Sequence, residues 1–230
     1  MDEKDTSRLE AFSDGVFAVA ITLLILNVTF KYTDPHGVQL LDTEIWSKGI
    51  VSQWPQLFAF VTSFFTIGVM WLNHHRLFKL IRRTDTVLLI LNILLLMVIV
   101  FIPVPTSLLA EYLNFPQYHV AALIYCGAFL LMTIFYNFLW RYAAYKGRLL
   151  GHNVNQLAVA GINRQYLAGP LVYLVAFGLA GINTLICVIF CFVLAIFFAI
   201  PGHELKTILL RRSPSTPEIG VGISDKWHEQ

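Results

Sequence analysis

The chain has 230 residues, a formal net charge of +2, 57% hydrophobic residues and only 13% charged ones. A soluble domain carries roughly 25% charged residues, whereas the mean hydropathy here is +0.67. These values exclude an ordinary soluble domain and, with no arginine-rich patch, give no footing for nucleic acid.

Long apolar runs with almost no charge match the hydrocarbon thickness of a bilayer. Backbone polar groups in lipid must be satisfied within the segment, so each run is predicted to be a helix. The first covers about 7–30 and opens on an S-x-x-E capping box at Ser7 and Glu10. Asp2, Glu3 and Asp5 precede it, unlike the basic start of a cleaved signal peptide. A polar loop with Pro35, Gly37 and Asp42 leads to a second run at 53–78. The third covers 86–109, where Pro103 and Pro105 are read as ending the helix. The fourth covers 118–145, the fifth 165–180 and the sixth 184–200, closed by Pro201 and Gly202. The last two form an antiparallel hairpin. The expected fold is an all-α integral membrane protein of six transmembrane helices over 1–210, followed by a disordered tail at 211–230 rich in Ser and Pro. The six helices show no internal repeat.

Basic residues orient these spans. Lys4, Arg8, Arg76, Lys79, Arg82, Arg83, Arg141, Lys146, Arg148, Arg164, Lys206, Arg211, Arg212 and Lys226 fall on one side; the other carries only Lys31 and Lys48. Both termini are expected on the cytoplasmic side of a cell membrane.

The start of the first helix, Arg8-Leu9-Glu10-Ala11-Phe12-Ser13-Asp14, is unusually polar. Ionisable groups at a membrane helix's edge are costly unless paired. Arg8 and Asp14 face apart on one helix, so their partners are expected on another. The cytoplasmic end of the second helix supplies Trp71, Asn73, His74, His75 and Arg76 at the same depth, and a polar cluster joining the two helices, within or between subunits, is predicted. His74 and His75 project about 100° apart and do not readily share a metal. Cys187 and Cys191 share a helical face without a further ligand in sequence; with Cys126 they are read as small core residues in preference to a metal site or disulfide. Ser63, Asn92 and Asn137 stand isolated in their runs and are read as helix–helix hydrogen bonders. No nucleophile, acid–base pair or metal cluster is evident, so neither an enzyme nor a cofactor is expected.

The R-x-x-x-F-S-D pattern of Arg8, Phe12, Ser13 and Asp14, with its companion segment Trp71 to His75, resembles the hallmark of the transmembrane protein 175 family of potassium channels. The resemblance extends over about residues 6–205. It implies a single-repeat prokaryotic subunit of a homotetramer whose first helices line the pore, with a constriction at Val19, Thr22, Leu23 and Leu26. Where the family often has isoleucine, this chain has Val19. Val19, Thr22 and Leu26 share one helical face, but the helix is apolar nearly all round, so periodicity does not say which face meets a pore.

A T-V-G-Y-G filter is absent, and no span carries a central Asp or Glu. An apolar constriction is what remains, with potassium as the permeant ion that the resemblance implies. Proton permeation stays open, as does a secondary transporter; against the latter, Pro170 is the only proline well set to break a span and no midplane ionisable residue exists.

Overall fold

A computed structural model describes residues 4–28, 53–113, 119–151 and 156–199. These residues fold into seven α-helices: α1, Lys4–Leu23, which runs on as a 3-10 turn, Leu24–Asn27; α2, Trp54–Leu80; α3, Thr86–Phe101; α4, Pro103–Tyr112; α5, His119–Ala144; α6, Gln156–Ala180; and α7, Thr184–Ala199. No strand occurs among them beyond an isolated bridge between Ile81 and Leu150. Segments 6–27, 54–80, 86–112 and 119–147 are long and apolar enough to cross a bilayer, and Thr184–Ala199 is a shorter apolar helix. The chain is therefore an all-helical, multi-pass membrane protein. The loop of Pro35, Gly37 and Asp42, the helix stop at Pro201 and Gly202, and the expected tail at 211–230 lie outside the described residues.

Two prolines shape the helices in ways the apolar runs do not reveal. α3 ends at Phe101, just before the prolines, but the span does not: α4 starts at Pro103. Ile102 keeps helical angles, the Ile99 carbonyl that Pro103 cannot reach accepts from Ile102 N–H at 3.2 Å, and Thr106 N–H resumes the ladder to the Ile102 carbonyl. A proline at a helix's first position costs no hydrogen bond, so the prolines make a joint and the helix continues to Tyr112. Pro170 lies inside α6 and leaves the Tyr166 carbonyl without its usual donor. Asn137 of α5 supplies one: its Nδ2 donates to that carbonyl at 2.7 Å. In lipid a freed carbonyl has no water to turn to, so a neighbouring helix must serve it.

α6 also begins at Gln156 rather than near 165. Asn163 and Arg164 interrupt the apolar run, yet the helix continues through them. Asn163 Oδ1 accepts from the indole N–H of Trp140 at 2.6 Å, which ties this turn to α5. Tertiary pairing overrides the polar interruption.

The core is aromatic. Tyr125, Phe129, Tyr136 and Trp140 of α5 are buried, as is Tyr173 of α6, and α5 packs against both α3 and α6. α2 packs against α4 and α7, and α1 against α2 and α3. Beyond the α2 terminus, the backbone N–H groups of Arg82 and Arg83 bond the Leu149 carbonyl, and Gly151 N–H bonds Leu80. Lys146 and Gly147, both with positive φ, make the turn that brings this strand back.

Candidate functional site: the first helix and its anchors

Beyond Asp14 α1 is apolar nearly all round, but the fold covers only one of its faces. Leu9, Ser13, Phe17, Ala20 and Leu24 recur at intervals of three or four and are buried. Phe12 (58% exposed), Val19 (53%), Leu23 (36%) and Leu26 (71%) belong to the uncovered side, as does Thr22. All four residues assigned to a constriction thus fall on the face the subunit leaves bare. The Thr22 hydroxyl donates to the Val19 carbonyl at 2.9 Å, which leaves its oxygen lone pairs directed away from its own backbone.

Ser13 fixes the other face by a directional relay. Its hydroxyl donates to the Leu9 carbonyl at 2.8 Å, so its oxygen is free to accept. Asn92 Nδ2 of α3 donates to that oxygen at 2.9 Å, which orients the amide and turns Oδ1 toward α2. Oδ1 lies 2.9 Å from His74 Nε2, and as an acceptor it requires the Nε2–H tautomer. His74 Nδ1 then has no partner among the described residues. The imidazole stacks on Phe78 at 4.4 Å and meets Phe17 at 5.4 Å, so its surroundings are aromatic. Ser13, Asn92 and His74, all fully buried, therefore lock α1, α2 and α3 together through oriented neutral dipoles.

A second set lies nearer the surface. Asp14 Oδ1 accepts from Trp71 Nε1 at 2.8 Å. Glu10 Oε1 lies 2.6 Å from His75 Nδ1, and the His75 ring stacks on Trp71 at 6.2 Å. His74 and His75 project to different helices, in keeping with their separation along α2. Asn73 Oδ1 accepts from Arg76 at 3.4 Å, and its carbonyl accepts from Tyr166 at 3.3 Å, so Asn73 faces α6 rather than α1. Arg8 is exposed and has no partner on another helix of its own subunit among the described residues.

One member of this site escapes sequence reasoning: Glu10 was legible only as a capping residue, whereas it pairs with His75. Asn92 is the helix–helix hydrogen bonder that its sequence suggests, with partners no local window shows: it holds both Ser13 and His74, from sequence distances of 79 and 18 residues. Ser63 is similarly engaged, with Thr106 at 2.9 Å and Tyr125 at 3.0 Å, which joins α2, α4 and α5. The three cysteines are fully buried.

Outside the spans, Asp85 caps α3 by accepting from Leu88 N–H at 2.9 Å. Tyr142 donates to its other oxygen at 2.6 Å, and Arg148 lies 3.5 Å away. Burial acts to raise the Asp85 carboxyl, but these hydrogen bonds and the guanidinium outweigh it and hold it below its ordinary value.

Fold and site together define a class: a helical multi-pass membrane protein whose first helix is pinned on one face and bare on the other. A family model for the endosomal/lysosomal potassium channel TMEM175 matches residues 8–103. A potassium channel of Chamaesiphon minutus is 48% identical over 202 residues, spanning 88% of this chain and 97% of that protein. The crystal structure of a lysosomal potassium-selective channel TMEM175 homolog from that organism superimposes with a TM-score of 0.73 at 45% identity, over 85% of this chain and 97% of that one. The mouse endosomal/lysosomal proton channel TMEM175 is 31% identical over 135 residues, 58% of this chain but 27% of the mouse protein. The chain belongs to the TMEM175 family, a family of ion channels rather than enzymes.

Proposed function

We propose that the chain is one subunit of a potassium-selective cation channel, with the bare faces of α1 from several subunits gathered around a shared axis. The two-sidedness of α1 carries this reading: Ser13, Phe17, Ala20 and Leu24 are committed to the subunit's own core, while Val19, Thr22, Leu23 and Leu26 are uncovered. The family resemblance implies four subunits. The excess of Lys and Arg on one side supports six spans with both termini in the cytoplasm of a prokaryotic cell.

In such a pore Val19, Leu23 and Leu26 form an apolar constriction. An ion entering it sheds part of its hydration shell, and potassium, which holds water less tightly than sodium, meets the smaller barrier. Thr22 eases the step, because its proton is engaged by the Val19 carbonyl and its oxygen is free to face a cation. The same ring closes by dewetting when it narrows. No ligand fully replaces the lost water, so selectivity by this route is modest.

Bi-ionic recordings in planar bilayers test the mechanism. Leu26→Ala and Val19→Ala are expected to lower the potassium-over-sodium permeability ratio or to raise leak. An unchanged ratio and leak in both variants would remove the apolar constriction. The mouse relative's name supports a second reading, proton permeation through the same pore. A pH-sensitive dye inside proteoliposomes under a proton gradient distinguishes it: proton entry that Leu26→Ala alters assigns protons to this path.

A further inference from the structure

α5 and α7 bring together three thiols that sequence spacing leaves apart. Cys187 and Cys191 share a face of α7, and Cys126 arrives from α5. Cys126 Sγ lies 2.6 Å from Cys187 Sγ and 3.8 Å from Cys191 Sγ, and all three sulfurs fall within 4.8 Å of one another. All three residues have zero exposure. Among the described residues no His, Asp or Glu joins the group. We propose that Cys126, Cys187 and Cys191 form a three-sulfur site for one soft monovalent cation of the Cu(I) or Ag(I) class.

Donor type and charge both favour that class. A metal about 2.3 Å from three sulfurs in one plane spaces them about 4.0 Å apart; Cys126 and Cys191, at 3.8 Å, are close to that spacing, whereas Cys126 and Cys187, at 2.6 Å, must part to admit the ion. Sulfur donors select soft cations, whereas closed structural zinc sites are nearly always four-coordinate. The site is buried in a helix bundle where net charge is costly. A monovalent ion that displaces one thiol proton leaves the charge unchanged: three thiols and M⁺ give one thiolate, two thiols, the bound ion and one released H⁺. A divalent ion must displace a second proton or leave a net charge behind.

The test uses the full chain in detergent, reduced with a phosphine and titrated with Ag⁺ under native mass spectrometry. Cu(I) competition against a chromophoric chelator runs beside it. One Ag⁺ per chain is expected, together with a rise in melting temperature. Cys126→Ser should bind Cu(I) at least as weakly as a lost supporting partner implies, roughly 10–100-fold below wild type. Wild-type protein that takes up no Ag⁺, or a triple Cys→Ser variant that takes up as much, overturns the proposal. Were the variants not to fold, the wild-type stoichiometry and melting shift decide alone. A Cys126–Cys187 disulfide persisting in the reduced protein also overturns it. Conduction enters none of these readouts, so this site stands or falls separately from the pore.

Discussion

At the residue scale, Asn92 does the work that holds α1 in register. Its amide is oriented by a donor on one side and an acceptor on the other, and an amide so held has no second way to satisfy both. Removing it leaves His74 Nε2–H and the Ser13 oxygen without partners in a bundle core. Hydrogen bonds between membrane helices average about 0.6 and reach about 1.7 kcal/mol in double-mutant cycles. A Ser13→Ala and Asn92→Ala cycle should therefore show a coupling of about 0.6–1.7 kcal/mol in unfolding experiments. Additive effects would contradict the relay. Asp14 makes a different point, since its partner Trp71 is a neutral donor 2.8 Å away. Asp14→Ala should impair assembly or conduction, and a variant that assembles and conducts as wild type would remove Asp14 from the machinery. The need for partners on another helix was legible in the sequence, because charge at a membrane edge must be accommodated. Asn92 was legible as a helix–helix hydrogen bonder, but its partners were not: a single amide in an apolar run carries no sign of what it faces.

At the element scale, helices follow from the apolar runs, but their joints and faces do not. The α3–α4 joint and the early start of α6 depend on hydrogen bonds from distant residues, which no window of local sequence contains. The face of α1 is a stronger case. Beyond Asp14 the helix is apolar nearly all round, and only packing on α2 and α3 separates Phe17 from Val19. Asp85 shows how one residue ties elements together, as N-cap of α3 and acceptor for Tyr142 of α5. Losing an N-cap costs about 0.5–2 kcal/mol, and a hydrogen bond to a charged group adds about 1.5–3. Asp85→Ala should lower the melting temperature in detergent and cost about 2–5 kcal/mol of stability. The pH dependence follows from the depressed carboxyl. The folded state holds Asp85 ionised more readily than the unfolded chain, so its contribution is present above the ordinary value of 3.8 and is lost as pH falls below it. Wild type should lose its advantage over Asp85→Asn in acid melts below about pH 4. An advantage that persists there would contradict the assignment.

At the scale of the whole molecule, a single chain leaves Val87, Ile90, Ile93 and Met97 of α3 exposed alongside the bare face of α1. Both faces are apolar, and one subunit alone does not separate a lipid-facing surface from one turned toward an axis. The distinction rests on the polar residues: Ser13 and Asp14 of α1 are held by Asn92 of α3 and Trp71 of α2, whereas Val87, Ile90, Ile93 and Met97 have no such company. The all-helical membrane class and the four long apolar segments were readable from composition and runs. The assembly was not, because nothing in one chain's periodicity counts its neighbours.

The central claim is that α1 faces the ion path, and thiol modification of open channels reads this directly. The native cysteines are fully buried, so a water-soluble charged methanethiosulfonate reports only on an introduced thiol. Current through Leu26→Cys channels should fall on exposure to the reagent, while Ile90→Cys channels, altered on the exposed face of α3, should be unaffected. Block at Ile90→Cys with none at Leu26→Cys would contradict the account.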